Sequence, residues 1–516
     1  MSAQSSSVAA FTIGVVVTSG GLIAAPPVAA LLPGQAREIQ LTAGESGAST
    51  LGGGTALVYD GSGGPMLPPP QFLDAINTLY LQPGGFTGTM QAALLPNELY
   101  PITGVKSMGF GASVSHGQPI MLSDIQGQIA AGGVTSENPL VVFGYSQSAA
   151  VASQIMPQLR DAGVPSDLVH FVLVGDVNNP NGGLLNTFDF PAGNSWAFTA
   201  ANFPFSPATP SDLYPTDIYS LEYDASADFP HYPLNLLSVF NALIGNFTQH
   251  FIYANLTPEQ IDSAILLPGS AALSGEGLTD YFMIPSANLP LLMPLLFLPG
   301  IGKPLYDLLE PVTRILVNLG YGSVDEGWNQ GPANVPTTFG LLPQIDLGQL
   351  STALGNGLQQ GINDALNAIA NPVSYEEQLA PWLPFADSIY THGFAPENPT
   401  FDEVMEGILT LAGFPVSDVT LNSPMADIIT MINSTLAYDY SALLPAADAV
   451  GALFTSLPAY AANIFVDQLL AGDLLDAIGL PLAAYSGLVP FDLLLGAPPA
   501  LFAAIGTLDN FMELFS

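Results

Sequence analysis

The run Leu140-Val141-Val142-Phe143-Gly144-Tyr145-Ser146-Gln147-Ser148-Ala149-Ala150 decides the fold. Four apolar residues in succession read as a fully buried strand, and the small-residue run from Gln147 to Leu159 reads as a helix that opens at once. No loop separates them, so Ser146 sits on a sharp strand-to-helix turn with its hydroxyl projecting above the sheet edge. Such a turn needs small neighbours two residues to either side, because the strand and helix backbones pass close together. Gly144 supplies the first, and Ser148 stands where a second glycine is usual. Context carries the reading: Gly111-Ala112-Ser113-Val114-Ser115 and Gly44-Glu45-Ser46-Gly47-Ala48 share the relaxed spacing, yet neither follows an apolar strand and opens a helix. Ser146 is the candidate nucleophile; a helix-capping serine is the plainer alternative.

Outward from this turn, Thr55 to Tyr59, Leu168 to Val174 and Ile218 to Tyr223 read as strands, and Gln71 to Leu79, Met121 to Ala131 and Leu234 to Asn246 as helices. Strands alternating with helices predict a mostly parallel α/β sheet with catalytic groups at the carboxyl ends of its strands. In hydrolases of this sheet type the chain order is Ser, then Asp or Glu, then His. That order excludes His116 and disfavours His170, which lies inside a strand, leaving His231, His250 and His392. The segment Asp224-Ala225-Ser226-Ala227-Asp228-Phe229-Pro230 offers two carboxylates in the loop where an orienting acid belongs. Asp228 is preferred because it lies clear of the strand end, with Asp224 the alternative. His250 follows a helix that lets it fold back over the sheet edge, whereas His231 is only three residues from Asp228. His250 is therefore the expected base and His231 the alternative.

Composition narrows the function class. Five Lys and Arg against 43 Asp and Glu give a net charge of −38, while charged residues make up only 9% of the 516 residues. A chain this acidic has no basic face for phosphate backbones, so nucleic acid is excluded as a partner. At 49% hydrophobic it is far from the composition of disorder. With no Cys, it has neither disulfides nor thiol catalysis, and no metal or organic cofactor is expected. Val8 to Leu32 is apolar and small up to Val28-Ala29-Ala30, as in a signal peptide or N-terminal anchor, although residues 1 to 7 hold no Lys or Arg; a buried strand is the alternative.

Phe188 to Phe205 carries six aromatic residues, which reads equally as a lid or acyl groove and as a satellite core under a long loop. No Lys or Arg follows Arg314. In that tail Leu347 to Ala370 reads as an amphipathic helix. From Ala446 to Phe515, apolar stretches of roughly 10–15 residues are interrupted by Pro458, Gly472, Pro481, Pro490 and Pro498, too short to span a bilayer. Ordinary helical packing is expected there, with a lipid-contacting surface as the alternative.

Several separated segments together resemble the PE-PPE domain family of mycobacteria and their relatives, a serine-hydrolase branch of the α/β-hydrolase fold. They are Asp60-Gly61-Ser62-Gly63-Gly64-Pro65, Glu98-Leu99-Tyr100-Pro101, Val141 to Ala149, Gly175 to Leu184, Glu222 to Pro230, His250, and Arg314 to Tyr321. The resemblance implies an α/β-hydrolase-type, mostly parallel sheet over residues 50–325; the chain's own pattern adds a signal peptide or anchor over residues 1–32 and a mainly helical region over 340–516. It also implies a serine esterase or lipase acting on acyl esters through Ser146, an acid within Asp224 to Asp228, and His250. The oxyanion donors would be the Gln147 N–H and the Gly61 to Gly63 turn, aided by the Ser62 hydroxyl. An acyltransferase serving envelope glycolipids, or a non-catalytic envelope lipid-binding protein, are the alternative readings. Export, to the medium or the cell envelope with peripheral membrane association, is the expected location. Ser62 stands where the family often has Thr, and the Pro-Glu or Pro-Pro-Glu helical domain that often precedes the module is not recognised.

Overall fold

The computed structural model describes residues 51–63, 66–191, 197–198, 202–397, 403 and 424–513. The expected signal peptide or anchor at 1–32, the Ser46 decoy and Trp196 lie outside the described residues. Among the described residues the strands are β1 (Thr55–Tyr59), β2 (Thr89–Ala92), β3 (Leu140–Tyr145), β4 (Val169–Val174), β5 (Ala197–Phe198), β6 (Phe203–Pro204), β7 (Thr216–Leu221), β8 (Ile265–Leu266) and β9 (Thr279–Ile284). Seven form one sheet in the order β2-β1-β3-β4-β7-β9-β8, parallel except for the β8–β9 edge, while β5 and β6 pair as a separate antiparallel ribbon. The fold is an α/β-hydrolase-like, mostly parallel sheet flanked by helices with a helical C-terminal region.

Every residue of β3 and β4 is buried, as continuous Val/Leu/Phe runs require when both sheet faces are covered. Side chains alternate between the faces. Leu57, Tyr59, Val142, Phe171 and Leu173 join the core under helices Phe110–Ala131 and Gln147–Asp161. Ala56, Val58, Val141, Phe143, Val172 and Val174 join the core on the opposite face, with Phe72, Ile76 and Tyr80. Each fully buried Val, Leu or Phe contributes about 1.5–3 kcal/mol.

Helix Phe110–Ala131 begins eleven residues before the expected Met121, because Gly117 and Pro119 lie within it and hide the period. Phe188, Phe203 and Phe205 are buried in the main core against Phe229, Phe339, Tyr460 and Phe491, so these rings are core and not an open acyl groove.

The C-terminal region shares that core. Helix Leu347–Ala370 buries Gly357, Gly361 and Ala365 at a spacing of four, and a Cβ on Gly361 would come within 2.3 Å of the Leu308 carbonyl on helix Gly302–Asn318. Helices Pro424–Phe454, Ser456–Ala471 and Leu474–Glu513 follow. In the last, Ala477, Leu480, Ala484, Leu488, Phe491 and Leu495 are buried at steps of three and four, one stripe along a helical face. The prolines read as interruptions instead lie inside these helices. By length and composition alone, Leu443–Ala471 and Leu474–Leu495 are therefore long and apolar enough to cross a membrane, as the shorter stretches are not. In the most apolar 18-residue window of each, 56% of the second is buried in the protein and 28% of the first.

Candidate active site

The site is built at the carboxyl ends of β3, β7 and β1. Ser146 adopts φ 56° and ψ −113°, a conformation an L-residue holds only when its surroundings enforce it. The enforcement is visible. A Cβ on Gly144 would lie 3.1 Å from the Ala149 N and Cα, so strand and helix pass closest over this glycine. Ser148 is compatible with the second small position because its hydroxyl works locally: Oγ accepts from the Tyr145 N–H at 2.8 Å and donates to carbonyls of Tyr145 and Tyr59.

His250 follows helix Leu236–Thr248, and its Nε2 lies 2.8 Å from Ser146 Oγ. Its Nδ1 lies 2.8 Å from Asp224 Oδ2, on the turn after β7. Asp224 is fully buried; Oδ2 also accepts from the Tyr253 hydroxyl at 2.9 Å and Oδ1 from the Ser226 N–H at 2.8 Å. A carboxylate on Nδ1 fixes the tautomer that leaves Nε2 to receive the serine proton. Tyr145 holds the base from the other side, its hydroxyl donating to the His250 carbonyl.

The expected acid, Asp228, is not the partner of His250. Its Oδ2 accepts from the Tyr223 N–H at 2.9 Å, and Oδ1 is buried without a partner. Burial, outweighing the Tyr223 N–H, pushes its carboxyl well above the usual carboxylate range, and the side chain braces the turn. Distance from the strand end was the wrong criterion: Tyr223 takes a positive φ of 69°, turning the chain immediately, and the first carboxylate after it faces the imidazole. His231, the alternative base, packs against Tyr232 and Gly340, and burial lowers it to about 4. It makes no hydrogen bond to Ser146 among the described residues.

On the oxyanion side, Gln147 opens the helix after Ser146, where first-turn N–H groups have no helical acceptor. Gly61 is not a free donor, since its N–H donates to the Asp60 carboxylate at 2.7 Å. Its contribution is room: a Cβ there would sit 2.9 Å from the Tyr145 ring and 3.1 Å from Ser146 Cβ. Ser62 Oγ accepts from Gln147 Nε2 at 3.1 Å, leaving its own proton available. Gln147 is pinned in turn, donating to the Glu98 carbonyl at 2.9 Å and accepting from Ser113 Oγ at 2.7 Å. Sequence reasoning missed the Gln147 side chain, the Ser113 anchor and the Tyr253 hydroxyl. Glu98 belongs to the Glu98-Leu99-Tyr100-Pro101 segment, and the anchor Ser113 is one of the serines that share the relaxed spacing of the nucleophile turn. No cluster of His, Cys, Asp and Glu suited to a metal occurs among the described residues.

A PE-PPE domain family model matches residues 87–322. The chain is 38% identical over 460 residues to the PPE family protein PPE28 of Mycobacterium tuberculosis, covering 86% of this chain and 64% of that one. It is 38% identical over 349 residues to Esterase PE16 of the same organism, covering 64% of this chain and 62% of PE16. It is 34% identical to the PE family protein PE3, also of M. tuberculosis, covering 69% of this chain and 72% of PE3. The chain thus spans somewhat under two thirds of the length of PPE28 and of PE16.

Proposed function

Since the chain belongs to the PE-PPE domain family, we propose that it is a serine esterase that cleaves acyl esters of lipid type through an acyl-enzyme. The observation that carries this reading is the continuous hydrogen-bonded line from Ser146 Oγ through His250 to Asp224, each step 2.8 Å, on a turn whose strain serves only to expose that hydroxyl. The similarity to a protein named an esterase supports it.

In this mechanism His250 Nε2 takes the Ser146 proton as Oγ adds to the ester carbonyl, and Asp224 stabilises the imidazolium that forms. The oxyanion is received by the Gln147 N–H, at the positive end of its helix, and by Ser62. Collapse breaks the ester C–O bond, His250 returns the proton to the departing alcohol, and the acyl group stays on Ser146. Water then repeats the sequence: His250 takes its proton, hydroxide oxygen adds to the acyl carbon, and Ser146 leaves reprotonated with a free carboxylic acid. An alcohol in place of water makes the same site an acyltransferase. The setting is extracytoplasmic and envelope-facing, a reading supported by the low share of charged residues, 9%, and by exposed apolar residues such as Phe454 and Leu470 on the C-terminal helices.

The test is hydrolysis of p-nitrophenyl butyrate and octanoate by the wild type beside Ser146→Ala. Loss of a triad serine costs about 10⁶ in kcat, so the variant is expected to be silent. Equal turnover by both proteins rules out this site, and lipid binding without turnover by either favours a non-catalytic envelope protein.

A further inference from the structure

Between Asp228 and Glu259 the chain holds no Asp, Glu, Lys or Arg, in a sequence with 43 acidic residues. The middle of that stretch is helix Leu236–Thr248, which joins the loop of Asp224 to His250. It lies over the carboxyl end of β7, where a Cβ on Gly245 would run into the Tyr223 carbonyl. Its polar side chains are turned to the protein. Ser238 Oγ donates to the Val317 carbonyl, Asn241 Oδ1 accepts from the Leu291 N–H at 2.9 Å, and Asn246 Oδ1 accepts from Ser226 Oγ at 2.9 Å. Its outward face is apolar throughout. Leu236, Leu237 and Phe240 are 47%, 42% and 46% exposed, and Ile244 and Phe247 continue the stripe half-buried, at steps of four and three. These five side chains share an arc of roughly 100°, the side on which a surface helix ordinarily carries its charges. The polarity of this helix is inverted.

The same edge of the sheet is apolar on both sides of Ser146. Strands β1, β2, β3, β7 and β9 run parallel, so the segment after each one leaves from the carboxyl edge. Met66 and Leu67 after β1, Leu94 after β2, and Phe297 and Ile301 after β9 are all exposed. In the strand order β1 and β2 lie to one side of β3, and β7 and β9 to the other. Single exposed apolar residues are ordinary, but an uncharged helix face beside a reacting serine marks an interaction surface.

We propose that this face docks the protein on the surface of an aggregated, uncharged lipid, so that its esters are met at a lipid–water interface and not in solution. The inference deepens the esterase reading and rests on it for the substrate class. Charge decides the occupant. At a net charge of −38 the chain is repelled by anionic headgroups and by a second copy of itself, and the helix offers no cation to an acidic protein. A lipid surface without net charge is the complement of a face without charge, and covering that face is favourable in proportion to its apolar area.

The chain has no Cys, so one introduced cysteine can carry the polarity-sensitive dye NBD in the full chain, on a Ser146→Ala background that keeps turnover out. Leu237→Cys reports the docking face; Leu278→Cys, exposed at the opposite edge just before β9, is the control. On phosphatidylcholine vesicles the emission is expected to move to the blue at Leu237→Cys and not at Leu278→Cys, and to move less when half the lipid is phosphatidylglycerol. No shift at Leu237→Cys, with or without one at Leu470→Cys on the C-terminal helices, overturns the proposal. An equal shift at Leu278→Cys, or a larger one on the anionic vesicles, does the same. Should Leu237→Cys not fold, Leu236→Cys lies on the same arc. Two half-exposed side chains together lose about one full burial, so Leu237→Ser/Phe240→Ser is expected to partition into phosphatidylcholine vesicles about 10- to 100-fold more weakly in cosedimentation. Unchanged partitioning overturns the proposal, and if light scattering shows that the same variant splits a dimer, the face is a subunit interface. Kinetics read the substrate class separately. Wild-type hydrolysis of tributyrin is expected to rise as the ester passes its solubility limit, a rise lost in the double variant; a rate that saturates on dissolved ester overturns interfacial action. If tributyrin is cleaved in neither form the esterase reading fails, and the vesicle shifts alone decide the docking face.

Discussion

Two carboxylates four residues apart in one loop do different work here. Asp224 is ringed by donors and faces the imidazole; Asp228 has one donor, one bare oxygen and a raised affinity for its proton. Asp224→Asn is expected to lower kcat about 10⁴-fold by favouring the wrong imidazole tautomer. Asp228→Asn, which keeps a neutral acceptor for the Tyr223 N–H, is expected to leave kcat within roughly threefold on the same reading. Steady-state rates of the two variants side by side check this, and the reverse order would make Asp228 the acid after all. From sequence, the loop and the base were legible, because Ser146, the loop and His250 follow one chain order. The choice within the loop was not, because it depends on the positive φ of Tyr223, a non-glycine residue that gives no sequence signal.

Among the elements, strand β3 and the helix after it were readable because burial on both faces leaves a plain apolar run, followed directly by small residues. β2 and β9 were not: β2 is a half-exposed edge, Thr89–Ala92, and β9 alternates Asp280 and Phe282 with buried neighbours. The helix Phe110–Ala131 supplies Ser113, and through it the grip on the Gln147 side chain that holds Ser62. Gln147→Ala keeps the N–H that faces the oxyanion and removes that grip. Its kcat is expected to fall roughly 10- to 100-fold, the cost of a small misplacement of a catalytic group, with the melting temperature little changed. A kcat equal to wild type would remove Ser62 from the oxyanion site.

For the whole molecule, the C-terminal helices complete the hydrolase core. Tyr460 donates to the Phe188 carbonyl, and Leu488 and Phe491 join the cluster that reaches the sheet. That union was hidden in the sequence, where prolines read as ends of helices that in fact continue. It also carries a pH dependence. Asp492 lies in this core with both oxygens unpartnered, and burial, helped by Asp448, raises it to about 7. Burial likewise raises Asp176 to about 6 against the pull of Thr209 and the Asn178 N–H. A carboxyl raised on folding supports the fold while protonated, so its contribution is full below about pH 4 and lost as pH rises through the folded value. Asp492→Asn is expected to flatten the fall in unfolding free energy between about pH 4 and 7, measured by denaturant titration; an unchanged slope would show that Asp492 does not titrate in that window.

The most direct test of the central claim is covalent. Intact-protein and peptide mass spectrometry after reaction with an alkyl fluorophosphonate reads which side chain the site activates. One adduct is expected, on Ser146, absent in Ser146→Ala and formed far more slowly in His250→Ala; an unlabelled wild type, or an adduct on another residue, would rule out Ser146 as the activated nucleophile.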